Sequence, residues 1–563
     1  MKPGPRALVL GACATFRLAH LVAVRDAPFV SQLALDSQEY DRWARAIAAG
    51  DWRGSAPFFQ APLYPYLVAL VYRFAAATPT AIYLLQIAVA VLACWALMRT
   101  GELLAGPRAG LVTGLLFALY TPFWFYDVQL LKESFAVSAV CFLLLLVVKA
   151  REDERSRLWF FAGLVAALLA LLRENMLLVV PFVLVATWKK TGKGEWSFLK
   201  RSGLFVLGFL LPLLPVAARN ASLGGGFLLT TSQGGVNFWI GNNPLADGTY
   251  RPLVPGKQIP AYEREEARRL AERAVGRPLA AGEVSSYWLH RGLSFAAAEP
   301  LAWGQLQLRK VGLYFSGYEW PDAVDYYWMK SISWPLRLPG LEWSAAVLLA
   351  LWGLYLERAR LSAWSPVLLF EVGWMLSVVA FFVFSRYRLP AVPGLLFLAA
   401  VPISNAAEAF GKGDRRKGGA MFAAVAILWL LPHFSGYEPR QELVEFNLGR
   451  LAEERGDPVA AEGHYRQTIA ANPDNFSATL NLGNLAARAR DYAAARAWFE
   501  RAVALAPDSD DAHANLGGAL LASGKLAEAS VELRRALALN ADNVFASHNL
   551  TVLMQKTKFD PPP

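Results

Sequence analysis

Apolar runs of roughly 16–24 residues, each able to cross ~30 Å of hydrocarbon with some tilt, recur along the chain up to about residue 435. They lie near residues 6–24, 79–99, 108–126, 130–149, 158–173, 175–188, 202–218, 341–357, 364–385, 389–407 and 419–434, which predicts a polytopic α-helical bundle of about eleven spans. One further apolar stretch, 62–76, is interrupted by Pro62 and Pro65 and reads as an interfacial helix. Two long segments separate the runs, 25–78 and 219–340, and both mix acids and aromatics with short helical periodicity.

The pattern changes after residue 440. Asn447-Leu448-Gly449, Asn481-Leu482-Gly483 and Asn515-Leu516-Gly517 stand at a fixed interval of 34, and Asn549-Leu550 continues it. The same interval joins Ala461, Ala495 and Ala529, then Tyr465, Phe499 and Leu533, then Pro473 and Pro507, with Ala541 where a third proline would stand. Small residues where two helices touch, a large one filling the next hole and a proline stopping the second helix resemble the tetratricopeptide repeat. The resemblance implies an all-α solenoid over 441–556: three helical hairpins and a closing helix at 544–556, followed by a tail at 557–563. Repeats of this kind bind peptides or protein partners, which makes a protein partner or acceptor the expectation for this region.

Composition sharpens the division. Of the 563 residues 55% are hydrophobic and only 18% charged, and the mean hydropathy is +0.31, values outside the range of soluble enzymes and of disordered chains. Residues 441–563 hold 12 Lys and Arg against 16 Asp and Glu, so the repeats carry −4 and the rest of the chain +14. No basic recognition helix or nucleic-acid module accompanies the surplus cations, which instead suit cytoplasmic loops and anionic membrane lipid. Lys2 and Arg6, Arg99 and Arg108, Lys149, Arg151, Arg155 and Arg157, Lys189, Lys190, Lys193, Lys200 and Arg201, Arg358 and Arg360, and Lys412, Arg415, Arg416 and Lys417 share one side if the spans alternate. The positive-inside bias makes that side the cytoplasm. An inner-membrane protein with a cytoplasmic N-terminus and an extracytoplasmic repeat domain follows. Ala12-Cys13-Ala14 also has the look of a signal-peptide cleavage site, although apolar residues continue to Val24. Cys13, Cys94 and Cys141 all sit in apolar runs and read as packing residues.

Chemistry at a membrane surface needs ionisable groups at the ends of spans. The first outer segment offers Asp36-Ser37-Gln38-Glu39-Tyr40, then Asp51-Trp52, then Gln60-Ala61-Pro62-Leu63-Tyr64-Pro65. Asp36 either caps a helix beginning at Ser37 or acts as a carboxylate near a reacting hydroxyl. Tyr126-Asp127 precedes the fourth run and Lys132-Glu133 opens it, with a plain interfacial salt bridge as the alternative to a site. Arg173, in Leu172-Arg173-Glu174-Asn175, is either a snorkelling turn residue or a ligand-binding one. Ser385-Arg386-Tyr387-Arg388-Leu389-Pro390 puts two arginines outside, against the charge bias, where guanidinium forks bind phosphate or anchor lipid head groups. Glu319, Asp322 and Asp325 read mainly as solvated loop charges, with contact to an acceptor as the alternative, and the glycines at 224–226 and 234–235 as turn chemistry, since no P-loop lysine follows them. Arg17 and His20 stand inside the first run, and the six histidines show no metal-ligand spacing.

The order of these motifs resembles that of the GT-C membrane glycosyltransferases, in particular the protein-mannosyltransferase and aminoarabinose-transferase branch of glycosyltransferase family 39 type, over most of residues 1–435. The resemblance implies an inverting transferase that takes a sugar from a polyprenyl-phosphate donor. In it Asp36 is the catalytic carboxylate, Arg386 and Arg388 clamp the donor phosphate with Arg173 and Lys132, and Tyr40 with Asp127 or Glu133 serves the acceptor or a second acid. A single Asp-Ser stands where that branch commonly has an Asp-Glu pair, so use of a divalent metal is left open and no other cofactor is implied. Chemistry alone also favours a base: a phosphate leaving group needs little acid assistance, whereas the acceptor hydroxyl must lose a proton. Two other classes compete with this one. One is an O-antigen ligase or polymerase, with Arg291 and His290 of the late outer segment as its working residues. The other is a membrane-anchored scaffold whose repeats do the work.

Overall fold

The computed structural model describes residues 4–153, 155–188, 194–257 and 259–557. Lys2, Lys189, Lys190 and Lys193 of the cytoplasmic-side argument, and 558–563 of the tail, lie outside the described residues. Each predicted apolar run is helical. Among the described residues, seven helical stretches are long and apolar enough to cross a membrane: Pro5–Val24, Pro79–Leu119, Glu133–Glu152, Trp196–Ser222, Arg358–Val379, Ser385–Gly411 and Arg415–Phe434. Pro79–Leu119 carries two of the runs, joined at a break where Ala105 and Gly106 leave helical geometry, Gly106 at φ +88, just before Pro107. Its second arm ends at Leu119 rather than 126, because the chain turns there into the short helix Thr121–Asp127.

Four apolar helices are shorter: Leu63–Phe74, Arg157–Leu172, Met176–Ala186 and Trp343–Leu356. At 1.5 Å per residue the 11 residues of Met176–Ala186 reach only about 16 Å, half of a bilayer core. Arg157–Leu172 stops because Arg173 adopts extended geometry and turns towards Glu133, while Glu174 accepts hydrogen bonds from Thr231 and Gln233. A polar knot therefore sits where a longer helix would run.

Two compact units are present. The membrane unit comprises Met1–Arg251 and Ala267–Glu438; the other comprises Pro252–Glu266 and Pro439–Pro563. Small residues let the membrane helices approach to backbone contact. A Cβ on Gly163 would stand 2.0 Å from the Phe205 carbonyl oxygen, and one on Gly208 2.1 Å from that of Phe160, so Arg157–Leu172 and Gly194–Ser222 meet through two glycines.

The repeat unit stacks Gln441–Glu454 with Pro458–Ala471, Phe476–Arg488 with Tyr492–Leu505, Asp510–Ala522 with Leu526–Leu539, and then Val544–Thr557. Gly449, Gly483 and Gly517 receive Tyr465, Phe499 and Leu533, and a Cβ at Gly483 would lie 2.4 Å from the Phe499 ring. Side chains of Asp457, Asn475, Asp491 and Ser509 cap four of these helices. The compact unit that holds the repeats also takes in residues 252–266.

Gly163→Ala is expected to lower the thermal midpoint of the detergent-solubilised protein, because over-packing of a close crossing costs about 1–3 kcal/mol. Gly203→Ala, at a helical position with open space around it, is the matched control and should leave the midpoint unchanged or raise it.

Candidate functional site

The helix Leu35–Ala48 is amphipathic, burying Ser37, Tyr40, Ala44 and Ile47 along one face. Leu35 enters it at φ +50, a left-handed backbone that costs a leucine roughly 1–2 kcal/mol. The position preceding the helix is Ala34, which offers no side-chain cap, so the capping role considered for Asp36 is not the one it performs. Asp36 lies inside the first turn, and its Oδ2 accepts from Arg386 Nη1 at 2.9 Å. The other acids of this segment are spent locally. Glu39 pairs with Arg42, Asp41 accepts from Tyr72 and Arg45, and Asp51 accepts from Gly54 N.

Arg386 is the centre of the arrangement. Only 9% of its side chain is exposed, and besides Asp36 it meets Asp322 at 2.5 Å and Glu133 at 4.0 Å. Three carboxylates from three distant parts of the chain thus share one guanidinium. Glu133 also pairs with Arg173, whose guanidinium lies 4.6 Å over the Tyr387 ring. Lys132 is buried beside them. Desolvation pulls its ammonium down to about 8, with Glu174 opposing the shift. Tyr40, one turn after Asp36, is buried edge-on to Tyr64, and burial holds its phenol well above the ordinary value, so it stays protonated. Tyr64 donates to Gln86, and Gln86 donates to the carbonyls of Asp127 and Gln129, both at 2.9 Å, fixing the turn that presents Lys132 and Glu133.

Two expected site residues face elsewhere. Arg388 is 1% exposed; it donates to the carbonyls of Tyr314, Ser316 and Tyr318, to Glu319 and to Ser385 Oγ, and lies 4.6 Å over Trp343. The reason is geometric: Ser385–Arg388 is a helical turn, and positions two apart on a helix point to nearly opposite sides. Asp127 accepts from Arg17 Nε at 2.7 Å and from Ser134, in a buried pair beneath the turn, so of the two acids near the fourth run Glu133 is the one that meets Arg386. His20 pairs with Ser333 at 2.7 Å.

Asp322 is the residue to which the sequence reading gave too little weight. Expected as solvated charge, it is ion-paired with Arg386 and keeps only 27% of its side chain exposed; Glu319, three residues earlier, is buried on Arg388, and Asp325, three residues later, caps Tyr326–Ile332. The regular spacing of three acids around Trp320-Pro321 is the available signal. Desolvation raises the Asp322 carboxyl to about 6 despite Arg386, with Asp36 and Glu133 adding to the rise. The three carboxylates take their positive charge from a guanidinium, and among the described residues no set of three His, Cys, Asp or Glu side chains converges as metal ligands. The residues of the rival ligase reading are also placed: Arg291 stacks 4.5 Å over Trp239, and His290 bonds the Ser286 carbonyl of its own helix.

Residues 59–218 match the family model of the dolichyl-phosphate-mannose-protein mannosyltransferases, and residues 446–510 and 486–551 match tetratricopeptide-repeat models. The chain therefore carries a mannosyltransferase-type segment followed by tetratricopeptide repeats. Lys132, Glu133 and Arg173 fall inside the matched segment; Asp36, Asp322 and Arg386 fall outside it. Among solved structures, the apo oligosaccharyltransferase of Archaeoglobus fulgidus is similar over 80% of this chain and 59% of its own, at 12% identity and a TM-score of 0.44. The archaeal oligosaccharyltransferase from the same organism in complex with an inhibitory peptide and a dolichol-phosphate gives 81%, 59%, 13% and 0.45. This chain spans about three-fifths of the length of either. The first tetratricopeptide domain of the human RPAP3 protein matches 21% of this chain and 91% of its own, at 28% identity and a TM-score of 0.20. No curated protein matches the chain.

Because the folded-state value of Asp322 lies above its ordinary 3.8, ionising it opposes folding. Stability contributed by the protonated form is present below about pH 4 and is lost as pH rises through about 6. Denaturation midpoints of the purified protein measured across pH 4–7 should show this slope, and Asp322→Asn should flatten it.

Proposed function

We propose that the membrane unit is a GT-C-type glycosyltransferase, which moves a sugar from a polyprenyl-phosphate carrier to a hydroxyl acceptor at the extracytoplasmic face of the inner membrane. The observation that carries this reading is the bridge through Arg386, which joins Asp36 of the first outer segment to Asp322 of the second. Asp36 takes the proton of the acceptor hydroxyl as its oxygen attacks the anomeric carbon. The bond from that carbon to the phosphate oxygen breaks, and polyprenyl phosphate leaves with the electron pair. Attack opposite the leaving group inverts the anomeric centre.

The phosphate clamp is assigned to Arg386, Arg173 and Lys132. The Nε–H groups of Arg386 and Arg173 and one oxygen of Glu133 are buried without a hydrogen-bond partner among the described residues. Unmade bonds of this kind cost about 1–3 kcal/mol each, and phosphate oxygens would accept from the two donors. Arg388, expected in the same clamp, braces the loop 314–319 instead and acts on the site through Ser385 and Glu319. Tyr40 lines the Asp36 side as a neutral phenol, where it orients the acceptor. The repeats hold a protein acceptor or partner.

With protein reconstituted in vesicles and a panel of polyprenyl-phosphate sugars, Asp36→Asn is expected to lower transfer by about 10²–10⁴-fold, the usual worth of a positioned base. Arg386→Lys should also lose most of it, because an ammonium cannot reach two carboxylates as a planar fork does. Full transfer by Asp36→Asn would sink the assignment. Mass spectrometry of lipid-linked sugars from cells with and without the gene would identify the donor by its accumulation.

A further inference from the structure

The repeat unit holds a segment supplied from far upstream. Residues 252–266 leave the second outer segment and pack with 439–563. The segment carries a tight turn, Val254-Pro255-Gly256-Lys257, closed by Lys257 N donating to Val254 O at 3.1 Å, with Gly256 at φ +82. Proline at the second place and glycine with positive φ at the third define a type II turn. Two features of the array receive it. A Cβ on Gly256 would lie 3.1 Å from Phe476 Cε1, so the glycine sits against that ring, and Lys257 Nζ meets Asp511 at 2.5 Å. Phe476 and Asp510 begin the first helices of successive repeats, 34 residues apart, so the ring and the acids belong to equivalent edges of the stack. Burial would pull the Lys257 ammonium down, but Asp511 and Asp510 more than offset it and leave it above its ordinary value. The contact is thus a shaped, charged fit of a peptide turn to a repeat surface.

We infer that this surface of the array is a recognition site for a Pro-Gly-Lys turn, that Pro252–Glu266 is its tethered occupant, and that a partner protein works by displacing it. The ligand chemistry is therefore a basic residue directly after a glycine with positive φ, set against an aromatic ring and a helix-start acid. The brace on the transferase site begins two residues upstream of this segment. Tyr250 packs 5.4 Å from Phe382 and 5.9 Å from Phe384, and Val383 N donates to Gly248 O at 2.9 Å, just before Arg386. Release of 252–266 frees the end of that brace; this last clause alone rests on the proposed function.

The test uses the full chain in nanodiscs and a fluorescent synthetic peptide with the sequence of residues 250–266. Lys257→Glu and, separately, Gly256→Val should open the site, so that each binds the peptide at least tenfold more tightly than the unaltered chain. Adding Asp511→Lys to Gly256→Val should remove that gain. The double reversal Lys257→Glu with Asp511→Lys should restore the closed, weakly binding state, which shows that the variants remain folded. A short bis-maleimide should also link Lys257→Cys to Asp511→Cys, with Cys13, Cys94 and Cys141 silent because they are buried. Equal binding by closed and opened chains, no binding by either opened chain, or absence of the cross-link would each overturn the inference. None of these readouts involves sugar transfer, so failure of the proposed activity would leave them intact.

Discussion

A guanidinium removed from water must meet negative charge and hydrogen-bond acceptors, or the structure does not hold it. Arg386 meets three carboxylates at once, and each of those carboxylates would repel the other two without it. The constraint runs in both directions: the arginine is affordable only because the acids converge, and the acids converge only because the arginine stands between them. Asp36, Glu133 and Asp322 come from parts of the chain that share no local structure, so this charge balance is what draws the segments 25–78 and 219–340 together over the start of Glu133–Glu152. Arg173 and Lys132 extend the same balance, one through Glu133 and the other beside Glu174.

A division of labour follows from helix geometry. Arg386 and Arg388 are chemically identical and two residues apart, yet one faces the carboxylates and the other holds four acceptors of the loop before Trp320 together with Ser385 Oγ. Asp127 and Glu133 divide in the same way. The first is sealed with Arg17 in a buried pair, and the second is turned upward by the hairpin that Gln86 clamps. In both cases a polar residue that looks functional supports a neighbour that is placed to act.

Much of this was legible in the chain. Apolar runs located the seven described helices that are long and apolar enough to cross a membrane, because a long run of apolar residues has few other stable states in lipid. The 34-residue interval named the repeats, because Gly483 and Phe499 must pack as they do for any such stack to close. The ends of helices were less legible. Nothing local stops Arg157–Leu172 short; the pull on Arg173 comes from Glu133, forty positions away. Asp322 was hidden for the same reason, since a carboxylate in a loop reads as solvated until its partner is known. The choice between Asp127 and Glu133 likewise depended on Arg17, whose pairing no spacing rule announces. The docking of 252–266 had only a Pro-Gly pair as its trace, and that pair marks a turn without saying what the turn fits.

That docking has a consequence for how the molecule is made. Lys257 leaves the ribosome some 250 residues ahead of Asp511, so at roughly 5–20 residues per second the loop waits on the order of tens of seconds for its counterpart. During that interval the segment 219–340 has one end unfastened. The last hairpins to be synthesised therefore complete a region translated near the middle of the message, and the growing chain is sewn shut from its C-terminal end.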